Sequence, residues 1–302
     1  MRFLKGLVVT IVGFLLFISL SVFSTMFMLK QTILNPDFVV AEINQLDMAE
    51  LGKELIGEQI KVQLPDSLSG LSGVVDEVFD EMAPWVSEEM GDLTYEVFDY
   101  LASRNDHLAV MISLDPVKIS IEGKIRQVLS ESPPSLIETL PAEQQADWVD
   151  QYTGQFISQI PDSFEFSDND FPAEYRGIIS QVRMVISRFD VFYSGLIAFM
   201  ALLVLCLIGL YRDVKGISRS LGSTLLTVGV FGIAGIMLTE YWVLPQAGLT
   251  GLSQTLGSWL TQFMVDVAAP LKTLYIGLAA GGLVLFLLSL FYRRGAREES
   301  VL

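Results

Sequence analysis

The chain has 302 residues, of which 51% are hydrophobic, and a formal net charge of −16. This balance is unusual for a soluble protein, and the acidity argues against a nucleic-acid partner, whose phosphates it would repel. A single cysteine excludes an intramolecular disulfide, and a single histidine excludes an HExxH zinc site or a two-histidine metal centre.

Four stretches contain no ionisable side chain, namely residues 7–29, 191–211, 221–239 and 274–292. A bilayer core of about 30 Å requires roughly 20 helical residues, and a backbone in lipid must satisfy its own hydrogen bonds. The stretches therefore predict four transmembrane helices. The first is longer than the apolar core of a signal peptide, so residues 1–30 are interpreted as a cytoplasmic N-terminus followed by an uncleaved anchor.

Basic residues near the span ends predict the orientation. Eight of them share one side of the membrane if both termini are cytoplasmic, while Lys30 and Lys272 lie on the other side, where long side chains can snorkel to headgroups. The eight are Arg2, Lys5, Arg212, Lys215, Arg219, Arg293, Arg294 and Arg297. We therefore expect a multi-pass protein of the cell membrane with both termini inside. The absence of a glycosylation sequon fits a bacterial or archaeal envelope.

Residues 31–189 form the predicted extracytoplasmic domain. It contains 29 acidic and 9 basic residues, a formal charge near −20, and apolar residues recur in it at helical spacing. An all-α fold is therefore expected, with this domain inserted between spans one and two. A strand is allowed only at 108–114, and linkers are expected at 64–66, 132–134 and 161–170. Capping residues and prolines predict helix starts at Pro36, Asp47, Pro84, Asp115 and Pro141.

The last helix of this domain is predicted to continue into span two. No breaker follows Pro172, so we expect one helix of about 40 residues that emerges from the membrane as a stalk. Its apolar stripe is expected to pack against the domain. The stripe comprises Phe171, Tyr175, Ile178, Val182, Val185 and Phe189.

Three arginines of the stalk, Arg176, Arg183 and Arg188, have two predicted roles. They are expected to pair with the acidic helices of the domain. The alternative is that they meet lipid phosphates near the membrane.

Residues 190–302 contain spans two to four and a second outer segment. At about 249–268, apolar residues share one face of a predicted amphipathic helix, which lies on the membrane surface or docks under the outer domain.

Small residues mark two spans. Gly277 and Gly281 in span four have GxxxG spacing, and Gly229, Gly232 and Gly235 lie three residues apart in span three. Such strips allow close approach of two helices. We expect them to pack within the protein's own bundle, with a homo-oligomer interface as the alternative.

Catalytic motifs are missing from the sequence. It contains neither a GxSxG elbow nor a glycine-rich phosphate loop. Asp168 and Asp170 are the candidates considered for calcium, but helix caps in a solvated linker explain them equally well. No metal, no cofactor and no enzymatic activity are therefore predicted.

These features predict a non-enzymatic membrane protein whose outer domain binds, scaffolds or senses a partner at the cell envelope. Besides the lipid bilayer, the expected partner is an extracytoplasmic protein or another cationic surface, which the acidic domain would attract. The alternative is a transport-associated subunit that works with a separate ATPase, because the order of spans and outer domain is similar to the layout of ABC-type permeases that transmit force to the envelope. Spans without ionisable residues argue against an ion-coupled transporter.

Overall fold

A computed structural model describes residues 2–54, 72–131, 141–158, 160–211, 213–243 and 252–298. The predicted linkers at 64–66 and 132–134, Arg212 and residues 249–251 lie outside the described residues. The chain forms two compact units. Unit 1 comprises Met1–Phe38, Val185–Leu249 and Thr261–Leu302, and unit 2 comprises Val39–Met184 and Thr250–Leu260.

The fold is predominantly helical, as predicted. The helices in chain order are α1 (Arg2–Gln31), α2 (Pro36–Ile43), α3 (Met48–Gly52), α4 (Ser72–Leu101), α5 (Asp115–Glu131), α6 (Ala142–Ile157), α7 (Ala173–Tyr211), α8 (Val214–Leu238) and α9 (Gln254–Glu298). A π-helix at Thr239–Val243 follows α8. Two strands, β1 (Ala109–Ser113) and β2 (Ser163–Ser167), form an antiparallel sheet.

The strands confirm one sequence prediction and contradict another. Strand β1 falls inside the only segment in which a strand was allowed. The linker expected at 161–170 is wrong for Ser163–Ser167, which forms β2 because its main chain pairs with β1 along its whole length. The sheet is thus the one departure from an all-α fold among the described residues.

Most predicted helix starts are confirmed. Helix α2 begins at Pro36, α5 at Asp115, and α6 immediately after Pro141. The Asp47 carboxylate caps α3 by accepting a 2.9 Å hydrogen bond from the Glu50 N–H. The start predicted at Pro84 is wrong.

Pro84 lies inside α4, which begins twelve residues earlier, at Ser72. A proline removes one backbone hydrogen bond from a helix. Met82 is buried two residues before it, so side-chain packing keeps the preceding turn helical.

Among the described residues, four helices, α1, α7, α8 and α9, are long and apolar enough to cross a membrane, which agrees with the predicted number of spans. The predicted continuous helix is also confirmed, because α7 runs for 39 residues without interruption. Helix α9 differs from the prediction. Residues 254–268 of the predicted amphipathic helix and the predicted span at 274–292 are parts of one 45-residue helix, Gln254–Glu298, which continues through Pro270. Pro270 removes one backbone hydrogen bond, but it does not end the helix.

Helices α1 and α7 pack together within unit 1. Leu16 of α1 and Leu203 and Leu207 of α7 are buried in one cluster. Near the other end of the pair, the Lys30 ammonium lies 2.6 Å from the Asp190 carboxylate. Lys272 of α9 makes an equivalent ion pair with Glu240 of the π-helix. Both lysines that oppose the predicted orientation therefore have a carboxylate partner.

Helices α8 and α9 approach each other through glycines. A Cβ atom added to Gly229 would lie 2.5 Å from the Ala279 nitrogen, and one added to Gly222 would lie 2.8 Å from the Phe286 nitrogen. Gly282 faces the Leu226 backbone in the same way, and Gly232 faces the Tyr275 ring. The contact between the two helices is therefore close to backbone against backbone.

Three predicted packing glycines, Gly235, Gly277 and Gly281, do not take part in this crossing, since a Cβ atom at each would meet nothing within 4 Å. Gly282 makes the contact expected of Gly281. One residue turns a helix by about 100°, so neighbours in sequence face different directions. The GxxxG pair therefore makes no close Cβ contact with the described residues, and its packing role stays a prediction.

Unit 2 also includes the start of α9. The Trp259 indole N–H donates a 2.8 Å hydrogen bond to the Glu42 carbonyl, and the Thr255 N–H lies 3.3 Å from a Glu54 carboxylate oxygen. This hydrogen bond and those from the Ser253 side chain and the Gln254 N–H lower the pKa of Glu54. The first turn of α9 is thus capped by a carboxylate from another part of unit 2.

Candidate functional site

The two-stranded sheet presents an apolar face to the interior of unit 2. Val110 pairs with Phe166, and Ile112 pairs with Phe164. Directly opposite residues point to the same side of a sheet, so these four side chains share one face. Met111, on the other face, is 70% exposed.

Helix α4 supplies the opposing wall. Leu93, Val97, Tyr100 and Leu101 recur at the spacing of one helical face. Tyr100 is buried together with Val110 and with Leu108, which lies between α4 and β1. This apolar side of α4 therefore faces the sheet.

The start of α7 supplies a third wall. Phe171 precedes the helix, and its ring meets the Phe166 ring edge-on, with centroids 5.0 Å apart and planes at 86°. Ile179 packs against the same cluster. The sheet, α4 and the first turns of α7 thus line one partly open pocket, in which Phe164 remains 55% exposed.

That pocket is a cavity of about 390 Å³. Among the described residues, those that line it are all aliphatic or aromatic, and the Tyr100 hydroxyl is their only side-chain polar group. Ligand cavities commonly span about 300–1,000 Å³, and apolar cavities of even about 150 Å³ stay dry and bind small hydrocarbons. The arrangement can hold an apolar molecule and offers no acid–base pair.

Both ends of the sheet are fastened by polar contacts. At one end, the Leu114 N–H donates a 2.9 Å hydrogen bond to the Asp162 carbonyl, and Lys118 pairs with the Asp162 carboxylate and lowers its pKa. At the other end, His107 Nδ1 lies 3.2 Å from the Asp168 carboxylate. An isolated two-stranded sheet is marginally stable, so these contacts keep the cavity wall in place.

Arg183 joins α7 to the end of α4. Its Nε donates to the Tyr100 carbonyl and its Nη2 to the Asn105 carbonyl, both at 2.9 Å. Its guanidinium also lies 4.1 Å from the centroid of the Tyr100 ring. A cation at a helix C-terminus is favoured by the unpaired carbonyls there, so Arg183 fixes the residue that lines the cavity.

The other predicted arginines are placed differently. Arg176 donates to the Asn169 carbonyl at 2.7 Å and to the Phe171 carbonyl at 3.1 Å, while Arg188 is exposed. Neither Arg176 nor Arg183 makes an ion pair with a carboxylate within the described part of the chain. Their expected pairing with acidic helices is therefore corrected, because main-chain carbonyls accept their hydrogen bonds.

The packing face of α7 agrees with the prediction only in part, because Phe171 of the predicted stripe packs against the sheet but four other members are exposed. Tyr175, Ile178, Val182 and Val185 of the predicted stripe are between 39% and 64% exposed. Ile179 and Arg183, one turn apart, make the contacts instead. The inward face is set by Arg183 and its two carbonyl partners, which the apolar spacing does not reveal.

Asp168 and Asp170 hold the turn that follows β2. Asp170 accepts hydrogen bonds from the Ser167 N–H at 2.7 Å and the Ser167 hydroxyl at 2.8 Å, which lower its pKa. Asp168 faces His107. Across the described ranges, no cluster of three or more potential metal ligands occurs.

No family model, curated protein or solved structure matches this chain. The cavity is therefore interpreted from its own residues.

The residues of β2 were missed at the sequence level. Ser163–Ser167 reads Ser-Phe-Glu-Phe-Ser, a strict alternation of polar and aromatic residues that is typical of a half-buried strand. The acidic residues around it favoured a solvated linker. Phe171, the first residue of the predicted stripe, and Leu108, the first residue of the predicted strand segment, do pack in this cluster, although each lies just outside a helix or strand.

Proposed function

We propose that this chain is a non-enzymatic multi-pass membrane protein whose unit 2 lies outside the cytoplasm and binds an apolar ligand in its cavity. The cavity of about 390 Å³, with its uninterrupted apolar lining, carries the proposal. A well-formed apolar pocket is the strongest general indicator of a ligand site.

A binding role is favoured over catalysis by the chemistry of the lining. Apart from the Tyr100 phenol, the cavity contains no group that transfers a proton or acts as a nucleophile. The ion pairs at the ends of the sheet are used to hold its strands. Our proposal therefore names a small apolar molecule as the partner, whereas the sequence led us to expect an extracytoplasmic protein or another cationic surface.

The orientation is supported by the distribution of basic residues. Eight Lys and Arg residues near the span ends share one side. On the opposite side, Lys30 and Lys272 are paired with Asp190 and Glu240. We place the eight in the cytoplasm, which puts unit 2 on the outer surface of the cell membrane of a bacterium or archaeon.

Impermeant maleimide labelling of intact cells tests this orientation. Replacing Cys206, the only cysteine, by serine gives a background for Met111→Cys, at an exposed position of β1. We expect labelling of the intact cells. Labelling only after lysis would place unit 2 in the cytoplasm and overturn the proposal.

Ligand binding is tested with the fluorescent apolar probe N-phenyl-1-naphthylamine and the full chain in nanodiscs. Val110→Phe places a larger ring in the cavity, and Met111→Phe makes a matched change on the exposed face of the same strand. Probe dissolved in the bilayer contributes the same background fluorescence to both variants. We expect a saturable component in the wild type and in Met111→Phe, and its loss in Val110→Phe. Superimposable titrations of all three would exclude a ligand site in the cavity.

A second candidate function, a transport-associated subunit that works with a separate ATPase, is favoured by one observation. Helix α7 carries both Ile179, which lines the cavity, and an apolar stretch long enough to cross a membrane. A ligand that moves Ile179 would act on a helix that continues into that stretch. Co-purification of an ATPase with the full chain from gently solubilised membranes supports this function, and its absence after cross-linking counts against it.

A further inference from the structure

We propose that the ligand of the unit 2 cavity is the hydrocarbon chain of a membrane lipid. This inference rests on the proposed function and names the ligand class for the same site. The chain inserts between the apolar face of the sheet, α4 and the first turns of α7.

The lining selects for hydrocarbon. A ligand atom that forms hydrogen bonds in water would lose them in a cavity whose side chains offer only the Tyr100 hydroxyl. Methylene groups form no hydrogen bonds in water and therefore lose none in the cavity, and their transfer out of water is favourable. A chain of methylenes is therefore favoured over a polar or charged molecule of the same size.

The volume also favours a chain over a single small ring. A cavity of about 150 Å³ already accommodates benzene, whereas this one measures about 390 Å³. Its walls come from one sheet, one helix and the start of another, and they combine Leu, Val and Ile with Phe and Tyr side chains. A flexible chain can follow such a mixed surface by rotating about its own bonds.

The same chain contains helices suited to a membrane, so lipid acyl chains would always be available to the cavity. Unit 2 is continuous in sequence with helices that are long and apolar enough to cross a membrane, on both sides of residues 39–184. Lipid is the solvent of such helices. Acyl chains are thus the most abundant apolar molecules available to this protein.

Photolabelling of the full chain in phosphatidylcholine nanodiscs tests the inference. Two tracers are used in separate arms, a phosphatidylcholine and a free fatty acid, each with a diazirine near the end of its acyl chain. Illumination is followed by peptide mass spectrometry. We expect at least one tracer to label peptides that contain Val97 or Val110, and the arm that does so identifies the source of the chain.

Matched variants test whether the photolabel lies in the cavity. Val110→Phe is expected to reduce labelling of unit 2 at least tenfold, while Met111→Phe leaves it unchanged. Ile112→Phe, on the same face of β1 as Val110, provides a second filled cavity if the first variant does not fold, as judged by its melting temperature. Labelling by both tracers that stays confined to α1, α8, α9 and residues 191–211 overturns the inference whatever the variants do.

Competition by unlabelled fatty acids adds a quantitative criterion. Each buried methylene contributes about 0.8 kcal/mol, so affinity should rise about fourfold per methylene until the cavity is full and then level off. A series without a plateau indicates partitioning into the bilayer and contradicts the inference. If the naphthylamine probe binds in the cavity while neither tracer labels it, the proposed function stands and only the lipid assignment falls. If the probe does not bind either, both fall.

Discussion

Two regions of the molecule pack in opposite ways. One is the crossing of α8 and α9 in unit 1, and the other is the pocket lined by α4, the sheet and the start of α7 in unit 2. At the crossing, glycines bring two helices so close that a Cβ atom at Gly229 would lie 2.5 Å from the Ala279 nitrogen. In the unit 2 pocket, large side chains line a partly open volume of about 390 Å³. Both regions are apolar, so hydrophobicity alone does not determine how tightly they pack.

In the orientation that we propose, the α8–α9 crossing lies in lipid and unit 2 lies in water, and this would explain the difference. Between helices in lipid there is little hydrophobic driving force, and association depends on close van der Waals contact, which small residues allow. In water, apolar faces associate even when their shapes fit poorly, although an unfilled cavity lowers stability. A cavity retained in unit 2 is therefore expected to have a use, whereas one at the α8–α9 crossing would only weaken it.

The largest effect on stability is expected from placing a large side chain at the contact between α8 and α9. Gly229→Leu places a side chain against the α9 backbone, and overpacking of this kind costs about 1–3 kcal/mol, occasionally more. Gly281→Leu is the matched control, because its Cβ atom would meet nothing within 4 Å. We expect the apparent melting temperature in dodecyl maltoside to fall sharply for Gly229→Leu only. Equal falls for both variants would mean that the two glycines face similar surroundings.

The next largest effect concerns the arginine that joins α7 to α4. Arg183→Met keeps the length of the side chain but removes two hydrogen bonds to carbonyls and the contact with the Tyr100 ring. A hydrogen bond from a charged donor contributes about 1.5–3 kcal/mol, and partial exposure reduces this, so a loss of about 2 kcal/mol is expected. Arg188→Met, on the exposed part of the same helix, should change little. Hydrogen exchange at Tyr100–Asn105 should increase only in the first variant, and unchanged exchange there would contradict the assigned role.

Much of the fold was predictable from the sequence because its signals are local. Stretches without charge define the four spans, and the absence of a breaker between Pro172 and residue 211 predicts the long α7. Capping by Asp47 depends on residues three apart, which a sequence shows directly. Such features need no knowledge of what lies across the interface.

The candidate site was only half predictable, because it depends on contacts between distant segments. The apolar face of α4 follows from its spacing, but the partner of that face is a sheet whose strands lie about fifty residues apart in the chain. The inward face of α7 is set by carbonyls that Arg183 reaches across 83 and 78 residues. Likewise, whether Gly281 or Gly282 meets α8 depends on the rotation of α9, which the GxxxG spacing leaves open.

A smaller effect on stability is expected when the unit 2 cavity is filled. Val110→Phe adds a ring beside a cavity that has room for it, so the free energy of unfolding should change by less than about 1 kcal/mol. This contrasts with the loss expected for Gly229→Leu. The comparison uses melting temperatures of both variants in the same detergent, with Met111→Phe as a control for added surface hydrophobicity. A loss at Val110 as large as that at Gly229 would show that the cavity is not open to a larger side chain.

The smallest effect is a pH dependence in the turn that follows β2. Hydrogen bonds from the Ser167 hydroxyl and N–H hold the pKa of Asp170 below its ordinary value. Its stabilisation is therefore complete above the unfolded pKa of about 3.9 and is lost as the pH falls through the lower, folded value. The melting temperature of Asp170→Asn should be lower than that of the wild type at pH 7, and this difference should narrow as the pH falls below about 4. In a Ser167→Ala background the difference at pH 7 should be smaller. A difference that is constant between pH 7 and pH 3 would mean that the carboxylate charge contributes nothing to the turn beside the cavity.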